Sequence, residues 1–272
     1  MTTKTDSKSS GADGPSRVPG GAPTRTLEKG LSLLGLFDID HPEWTLKEIR
    51  ERTGWPKATI RRLVKTLEVA NWVAYDPVSG RYHLGSSALR AVYLIMSDSE
   101  LVRRAHPFLV RLTEETSESS SLSVWTDQGA LILDTVPTAR AFKPTTYAGM
   151  LLKGSASADA QVLIAFGSEQ TQTAVLATPQ ERRTRHTIVD PKALQEKWLQ
   201  VRQDGVAFDR MEWNEDAPAV AAPVFDQNGE LRASLSVVAP PERCSEAQMQ
   251  GYAAVVKRIA AELSEALGHQ DD

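Results

Sequence analysis

The chain has 272 residues, 24% of them charged and 41% hydrophobic, with a net charge of −4. This is ordinary globular composition, long enough for two domains, and no window approaches the ~20 consecutive apolar residues of a membrane helix. A single cysteine, Cys244, excludes an intrachain disulfide and a cysteine-rich zinc cluster. With no apolar signal core at the N-terminus, the cytoplasm is the expected compartment. The charge is uneven. Residues 1–85 hold 13 Lys+Arg and 10 Asp+Glu, a net of +3, whereas residues 86–272 hold 18 and 25, a net of −7. A mildly basic front and an acidic back suggest two jobs.

Residues 1–24 are rich in Ser, Gly, Pro and Thr, with Val18 as the only branched apolar residue, and are predicted to be disordered. They read as an inert tail or as an arm that touches DNA or a partner. Leu27, Leu31, Leu34 and Phe37 fall at helical spacing, which predicts a first helix over 26–38, ended by Asp38, Asp40, His41 and Pro42. Thr45-Leu46-Lys47-Glu48 is a capping box that opens a second helix, and Gly54 sits at its expected C′ position. Pro56 opens a third helix running to about Val69. Asn71 ends it, and Val73–Tyr75 and Arg81–Leu84 then read as strands around an Asp76–Gly80 turn.

A long helical zone follows from Ser86 to about Ser117, with an interruption expected at Pro107. Beyond it, strands fit Leu122–Trp125, Leu131–Val136, Val220–Phe225 and Leu231–Val238, the last two joined by an Asp226–Gly229 hairpin turn. Helices fit Ala156–Phe166, Pro191–Gln203 and Glu246–Leu267. The mixture lacks strict alternation, so the back half reads as an α+β domain on an antiparallel sheet.

The third helix carries the sharpest chemical signal. Ile60, Leu63, Val64 and Leu67 form one apolar stripe, and the opposite face holds Ala58, Arg62, Lys65 and Thr66, flanked by Arg61 and Thr59. Between residues 57 and 67 there are four cations and no acid. Such a helix after a short Gly-Trp-Pro turn suits the major groove of double-stranded DNA. Lys57, Arg62 and Lys65 are placed for phosphates or guanine edges, Thr59 for a phosphate or a thymine methyl, and Arg81 for the backbone or minor groove beside the hairpin. Lys47, Arg50 and Arg52 alternate with Glu48 and Glu51 and read as a neutral solvated face.

LEKGLSLLGLF…TLKEIRERTGWPKATIRRLVKTLEVANWV…GRYHLG strongly resembles the winged helix–turn–helix of IclR-type transcriptional regulators. DPKALQEKWLQVRQDGVAFDRMEWNEDAPAVAAPVFDQNGELRASLSVVAPPER looks like the effector-domain signature of the same family. The resemblance covers about 25–268. It implies a winged helix–turn–helix over 25–85, a linker helix over 86–104, and a GAF/PAS-like α+β effector-binding domain over 105–272. It also implies operator DNA and a small organic effector as partners, and self-association as a dimer or a dimer of dimers. Leu89, Val92, Tyr93 and Met96 of the linker suit protomer pairing, or core packing inside one chain.

By the same resemblance the effector contacts carry over to Ala158, Asp159, Asp209 and Ala219, with Met150 and Leu151 as an apolar wall. Ala160-Gln161 stands where the family carries Gly-Lys, Asp159 adds a charge, and Ala219 replaces a common cysteine or serine. The family often senses small organic acids. Asp159 and Asp209 in one dry cleft would repel an anion, with Arg140 or Lys143 helping only if their loop folds over. The other reading of Asp159 is an exposed first-turn acid that complements the helix dipole.

An enzyme is not expected. No phosphate loop or G-x-G-x-x-G is present, and the five histidines show no i, i+4 pair, so no metal or cofactor is expected. Cys244 near a helix start would favour a thiolate, but no base can be paired with it. The competing class is a sensor or enzyme on the same effector fold without DNA binding, and the cationic third helix argues against it.

Overall fold

The structure is a computed structural model that describes residues 24–39 and 41–270. The tail up to residue 23 and Asp40 lie outside the described residues. The chain divides into two compact units between Ile95 and Met96.

The front unit contains α1 (Arg25–Leu34), β1 (Glu43–Trp44), α2 (Leu46–Thr53), α3 (Lys57–Val69), β2 (Val73–Asp76) and β3 (Arg81–Leu84). The helix α4 (Ser86–Asp98) crosses the boundary. The capping box forms: the Thr45 hydroxyl accepts from the Glu48 main-chain N–H at 3.2 Å, and the Glu48 carboxylate accepts from the Thr45 N–H at 2.7 Å. Gly54 closes α2 with φ 68°, a left-handed conformation that disfavours a side chain. Ile60, Leu63 and Val64 of α3 pack with Leu33, Trp44 and Ile49 into one small core. The strand β1, at two residues too short to register in the sequence pattern, adds to β3 and makes a three-stranded sheet in the order β1-β3-β2.

The first helix differs from expectation. It stops at Leu34, with Gly35 as its C-cap, and buries Gly30 and Leu33. Leu27 and Leu31, expected on the core face, are 61% and 59% exposed. The Leu33–Phe37 run offers a second apolar periodicity, and its Leu33, Leu36 and Phe37 join the front core.

The helical zone also breaks elsewhere than at Pro107. Ser99 separates α4 from α5 (Glu100–Thr116), its hydroxyl capping the Val102 N–H at 3.2 Å. Pro107 lies inside α5 on its exposed side, where the carbonyl it leaves unpaired can reach water.

The back unit is a six-stranded antiparallel sheet in the order β6-β5-β4-β9-β8-β7. Its strands are β4 (Ser119–Thr126), β5 (Gly129–Val136), β6 (Leu151–Lys153), β7 (Ala207–Asp209), β8 (Ala219–Phe225) and β9 (Leu231–Val238). Its remaining helices are α6 (Ala158–Ala165), α7 (Glu169–Ala177), α8 (Pro191–Asp204) and α9 (Glu246–Ala266). The two-residue alternation of the strands splits their side chains between two cores. Leu122, Val224, Leu235 and Val237 pack on α5 and α9. Ala130, Ile132, Leu152 and Ala221 pack on α6 and α8. Each fully buried Leu or Ile contributes ~1.5–3 kcal/mol. The helix α6 is buried along its whole length, so it is held by packing on all sides.

Candidate functional site

The outward face of α3 carries Lys57, Ala58, Arg61, Arg62, Lys65 and Thr66 exposed, with Thr59 half-buried. Lys65 Nζ lies 3.0 Å from Glu68 Oε2, and the Thr66 hydroxyl donates to the Arg62 carbonyl at 2.9 Å. The side chains of Lys57, Arg61 and Arg62 make no hydrogen bond or ion pair among the described residues. Lys47 and Glu51 approach to 3.8 Å across α2, in keeping with a neutral face.

Arg81 is placed differently from expectation. Its guanidinium forks onto Glu48, with Nη2–Oε1 at 3.0 Å and Nη1–Oε2 at 3.2 Å. The Thr45 N–H and hydroxyl hold the Glu48 carboxyl below its ordinary range, and Arg81 adds to this. Arg81 thereby ties the hairpin to the start of α2. The hairpin tip is set by Asp76, which accepts from the Val78 and Ser79 N–H groups at 2.9 and 3.2 Å.

In the back unit, Asp209 and Ala219 are direct cross-strand partners on β7 and β8. Ala158 and Ala219 belong to the core beneath α6, and Met150 packs against it. Leu151 does not. Its neighbour Leu152 faces α6, so strand alternation points Leu151 to the other side of the sheet.

Asp209 is buried, and its Oδ1 accepts from the Glu212 and Trp213 N–H groups at 2.6 and 3.3 Å. Burial, then the charge of Glu212, pushes its carboxyl up to about 8. Glu212 in turn binds Lys197 Nζ and Gln161 Nε2, each at 3.0 Å. The acid acting most strongly on Asp209 is therefore Glu212, where Asp159 was expected.

Asp159 is 4% exposed, which rules out the solvent-facing reading. It stands in the first turn of α6, capped by the Ser157 hydroxyl on the Ala160 N–H at 3.2 Å. Burial pushes its carboxyl up to about 6, opposed by the hydroxyls of Ser123, Ser236 and Ser234. Arg140 and Lys143 do not reach toward it. Arg140 pairs with Glu118 at 3.1 Å and Lys143 donates to the Thr138 carbonyl at 2.7 Å. The serines are not among the residues that the family resemblance indicates. Their signal was the alternation Ser121-Leu122-Ser123 and Ser234-Leu235-Ser236, which puts serines on one face and leucines on the other.

An open pocket of about 780 Å³ lies at the entry to α6, lined by Trp125, Lys153, Ser155, Ala156, Gln180 and one face of α7. Burial raises the Cys244 thiol to about 11, so the thiolate expected from its position near a helix start is not favoured. Among the described residues, no cluster of three or more His, Cys, Asp or Glu is arranged to hold a metal, and no helix is long and apolar enough to cross a membrane.

The raised carboxyl of Asp159 makes a pH prediction. Its folded value of about 6 lies above its ordinary 3.8, so the folded state holds the proton more tightly. Stability from this group is complete below about pH 4 and is lost as pH rises toward 6, on the order of 3 kcal/mol in total. Asp159→Asn should remove that loss and be the more stable chain at pH 7. Urea unfolding of both chains at pH 4.5, 6 and 7.5 checks it, and superimposable pH profiles would contradict it.

A winged helix with a cationic outer face, followed by an α+β unit with a polar interior, defines a ligand-responsive transcriptional regulator. The IclR helix-turn-helix domain matches residues 26–77, and the bacterial transcriptional regulator IclR C-terminal domain matches residues 94–265. The HTH-type transcriptional regulator BhcR of Paracoccus denitrificans is 32% identical over 252 residues, 91% of this chain and 89% of that protein. The transcriptional repressor IclR of Escherichia coli is 27% identical, covering 92% and 93%. An IclR regulator structure from Silicibacter superposes with a TM-score of 0.76 at 26% identity, covering 91% and 98%. An IclR homologue of Microbacterium hydrocarbonoxydans complexed with 4-hydroxybenzoate shares the fold, with a TM-score of 0.74 at 22% identity, covering 89% and 98%. The chain belongs to the IclR family of transcriptional regulators, with a DNA-binding helix–turn–helix and a C-terminal effector-binding domain.

Proposed function

We propose that α3 reads operator DNA through Lys57, Thr59, Arg61, Arg62 and Lys65, and that Arg81 holds the wing in place beside it. A small organic effector enters between α6 and the sheet, against Met150, Ala158, Asp159, Asp209 and Ala219, and changes operator affinity. The observation that carries this reading is the exposed cationic face of α3 opposite a buried apolar stripe. The single-ring compound bound by the Microbacterium homologue supports a small-molecule effector of that size. We assign residues 25–85 to DNA binding, 86–104 to the linker and 105–272 to the effector domain, in a cytoplasmic protein without enzymatic activity. A gel shift with the DNA upstream of its own gene tests the reading, and no retarded band at low salt would overturn it.

The regulator acts as a dimer or a dimer of dimers on a pseudo-palindromic site, because one helix–turn–helix offers too few base contacts for genomic specificity. Leu89, Val92 and Tyr93 on α4, with Leu27 and Leu31 on α1, are exposed apolar residues that fit self-association. The side chain of Met96 lies outside the described residues. Leu89→Glu with Tyr93→Glu should yield monomer in sedimentation at micromolar concentration and weaken operator binding at least ~10-fold. A dimer with full affinity would contradict the assignment.

A further inference from the structure

Two lysines of the front unit, Lys47 and Lys65, lie 3.8 and 3.0 Å from the carboxylates of Glu51 and Glu68. Lys29 on α1 meets no carboxylate among the described residues. Its ammonium stands 5.4 Å from the ring centre of Trp55 instead, and both residues are half-buried. A cation over an indole face is held in place without its charge being neutralised. Trp55 packs against the front core, and its indole N–H donates no hydrogen bond among the described residues. Arg25 lies one turn before Lys29 on the same side of α1 and is exposed. Glu28, the one acid of α1, forms no ion pair with Arg25 or Lys29 among the described residues. These groups stand at the leading end of the recognition helix: α3 begins two residues after Trp55, with Lys57 exposed.

We propose that Lys29 and Trp55 form a second contact with DNA, outside α3, in which the Lys29 ammonium and the Trp55 indole N–H grip a backbone phosphate and Arg25 faces the same strand. The proposal rests on the reading of DNA by α3 above. The major groove is ~12 Å wide, and a helix with its side chains is ~10–12 Å across, so residues beside the leading end of α3 meet a phosphate wall. Lys29 brings its full charge to that wall. The indole face already holds its long stem, so less rotamer freedom is lost on binding. The indole N–H, a donor only, suits the acceptor-only phosphate oxygens. A phosphate contact positions the protein without reading bases, so Lys29 and Trp55 set affinity while α3 sets sequence preference.

The test uses the full chain with two duplexes of equal length, one from upstream of its own gene and one of random sequence. Binding is read by fluorescence anisotropy across a salt series. Lys29→Gln should weaken both duplexes by the same factor, ~10-fold for each protomer bound, and cut the salt slope by ~0.9 per protomer. Lys29→Arg should restore affinity and slope, since a guanidinium also stacks on an indole. Trp55→Phe keeps a ring under Lys29 and removes only the N–H, so it should cost ~3-fold and leave the slope unchanged. A slope unchanged in Lys29→Gln but reduced in the Arg61→Ala, Arg62→Ala double variant would overturn the proposal and retain the reading of DNA by α3. A lower unfolding midpoint in Lys29→Gln beside that unchanged slope would leave Lys29 as a cover for Trp55. A loss confined to the upstream duplex would also overturn the proposal, because it would make Lys29 a reader of bases. Slopes unchanged in both Lys29→Gln and the double variant, or no binding of either duplex, would overturn the α3 reading as well.

Discussion

Replacing Arg61 and Arg62 together by alanine is expected to weaken operator binding roughly 30-fold near physiological salt, with the salt slope reduced by ~0.9 for each phosphate that is no longer neutralised. Both guanidinium groups are exposed and unpaired among the described residues, so no acid there competes for them. If one of them forks onto a guanine, its removal instead costs ~1–3 kcal/mol at one base pair and relaxes specificity there. Lys65→Ala should do less, because Lys65 already shares its charge with Glu68 at 3.0 Å. Fluorescence anisotropy across a salt series separates these outcomes. An unchanged affinity and slope in the double variant would remove α3 from the DNA interface.

The second large effect is expected far from DNA. Glu118, buried just past the end of α5, binds Arg243 through Nε–Oε1 at 2.5 Å and Nη2–Oε2 at 2.8 Å, and Arg140 at 3.1 Å. Arg243 also donates to the Phe142 carbonyl at 3.0 Å. One carboxylate thus ties the end of α5 to the segment around Arg140 and Phe142 and to the short turn Pro241–Arg243. Glu118→Ala leaves Arg243 as a largely buried, unpaired cation, and breaking such a pair costs ~3–5 kcal/mol. In a unit of this size that lowers the unfolding midpoint by ~6–20 °C. Calorimetry of the variant checks this, and a shift below ~2 °C would show that Arg243 swings out to water at little cost.

The parts of the fold that were legible in the sequence are those set by local chemistry. Thr45, Glu48 and Gly54 fix α2 through its own caps, and the Asp226–Gly229 turn fixes the β8–β9 hairpin. Where tertiary packing decided, periodicity misled. Leu27 and Leu31 form as good a helical stripe as the residues that α1 buries. Pro107 is a weaker breaker than Ser99 because its missing hydrogen bond faces water. The strands β6 and β7, of three residues each, are too short for any alternation to register, and the same brevity exchanged Leu151 for Leu152. At the proposed effector cleft, Asp159, Asp209 and Ala219 are indicated only by the family resemblance. Their true neighbours, Ser123, Ser234, Glu212 and Lys197, come from other strands and helices that only the folded chain brings together. The Arg81–Glu48 pair was not legible for a related reason: its two residues lie 33 apart in the chain.

That pairing shapes how the protein can be altered. Glu48 caps α2 and anchors the wing with the same carboxylate, so Glu48 and Arg81 should drift together over evolutionary time. The side chains of Ala58, Arg61, Arg62 and Thr66 make no bond to that pair among the described residues. On the proposed reading of DNA by α3, operator preference should be transferable from another regulator by exchanging its outward side chains at Lys57, Thr59, Arg61, Arg62 and Lys65, leaving the Glu48–Arg81 scaffold intact.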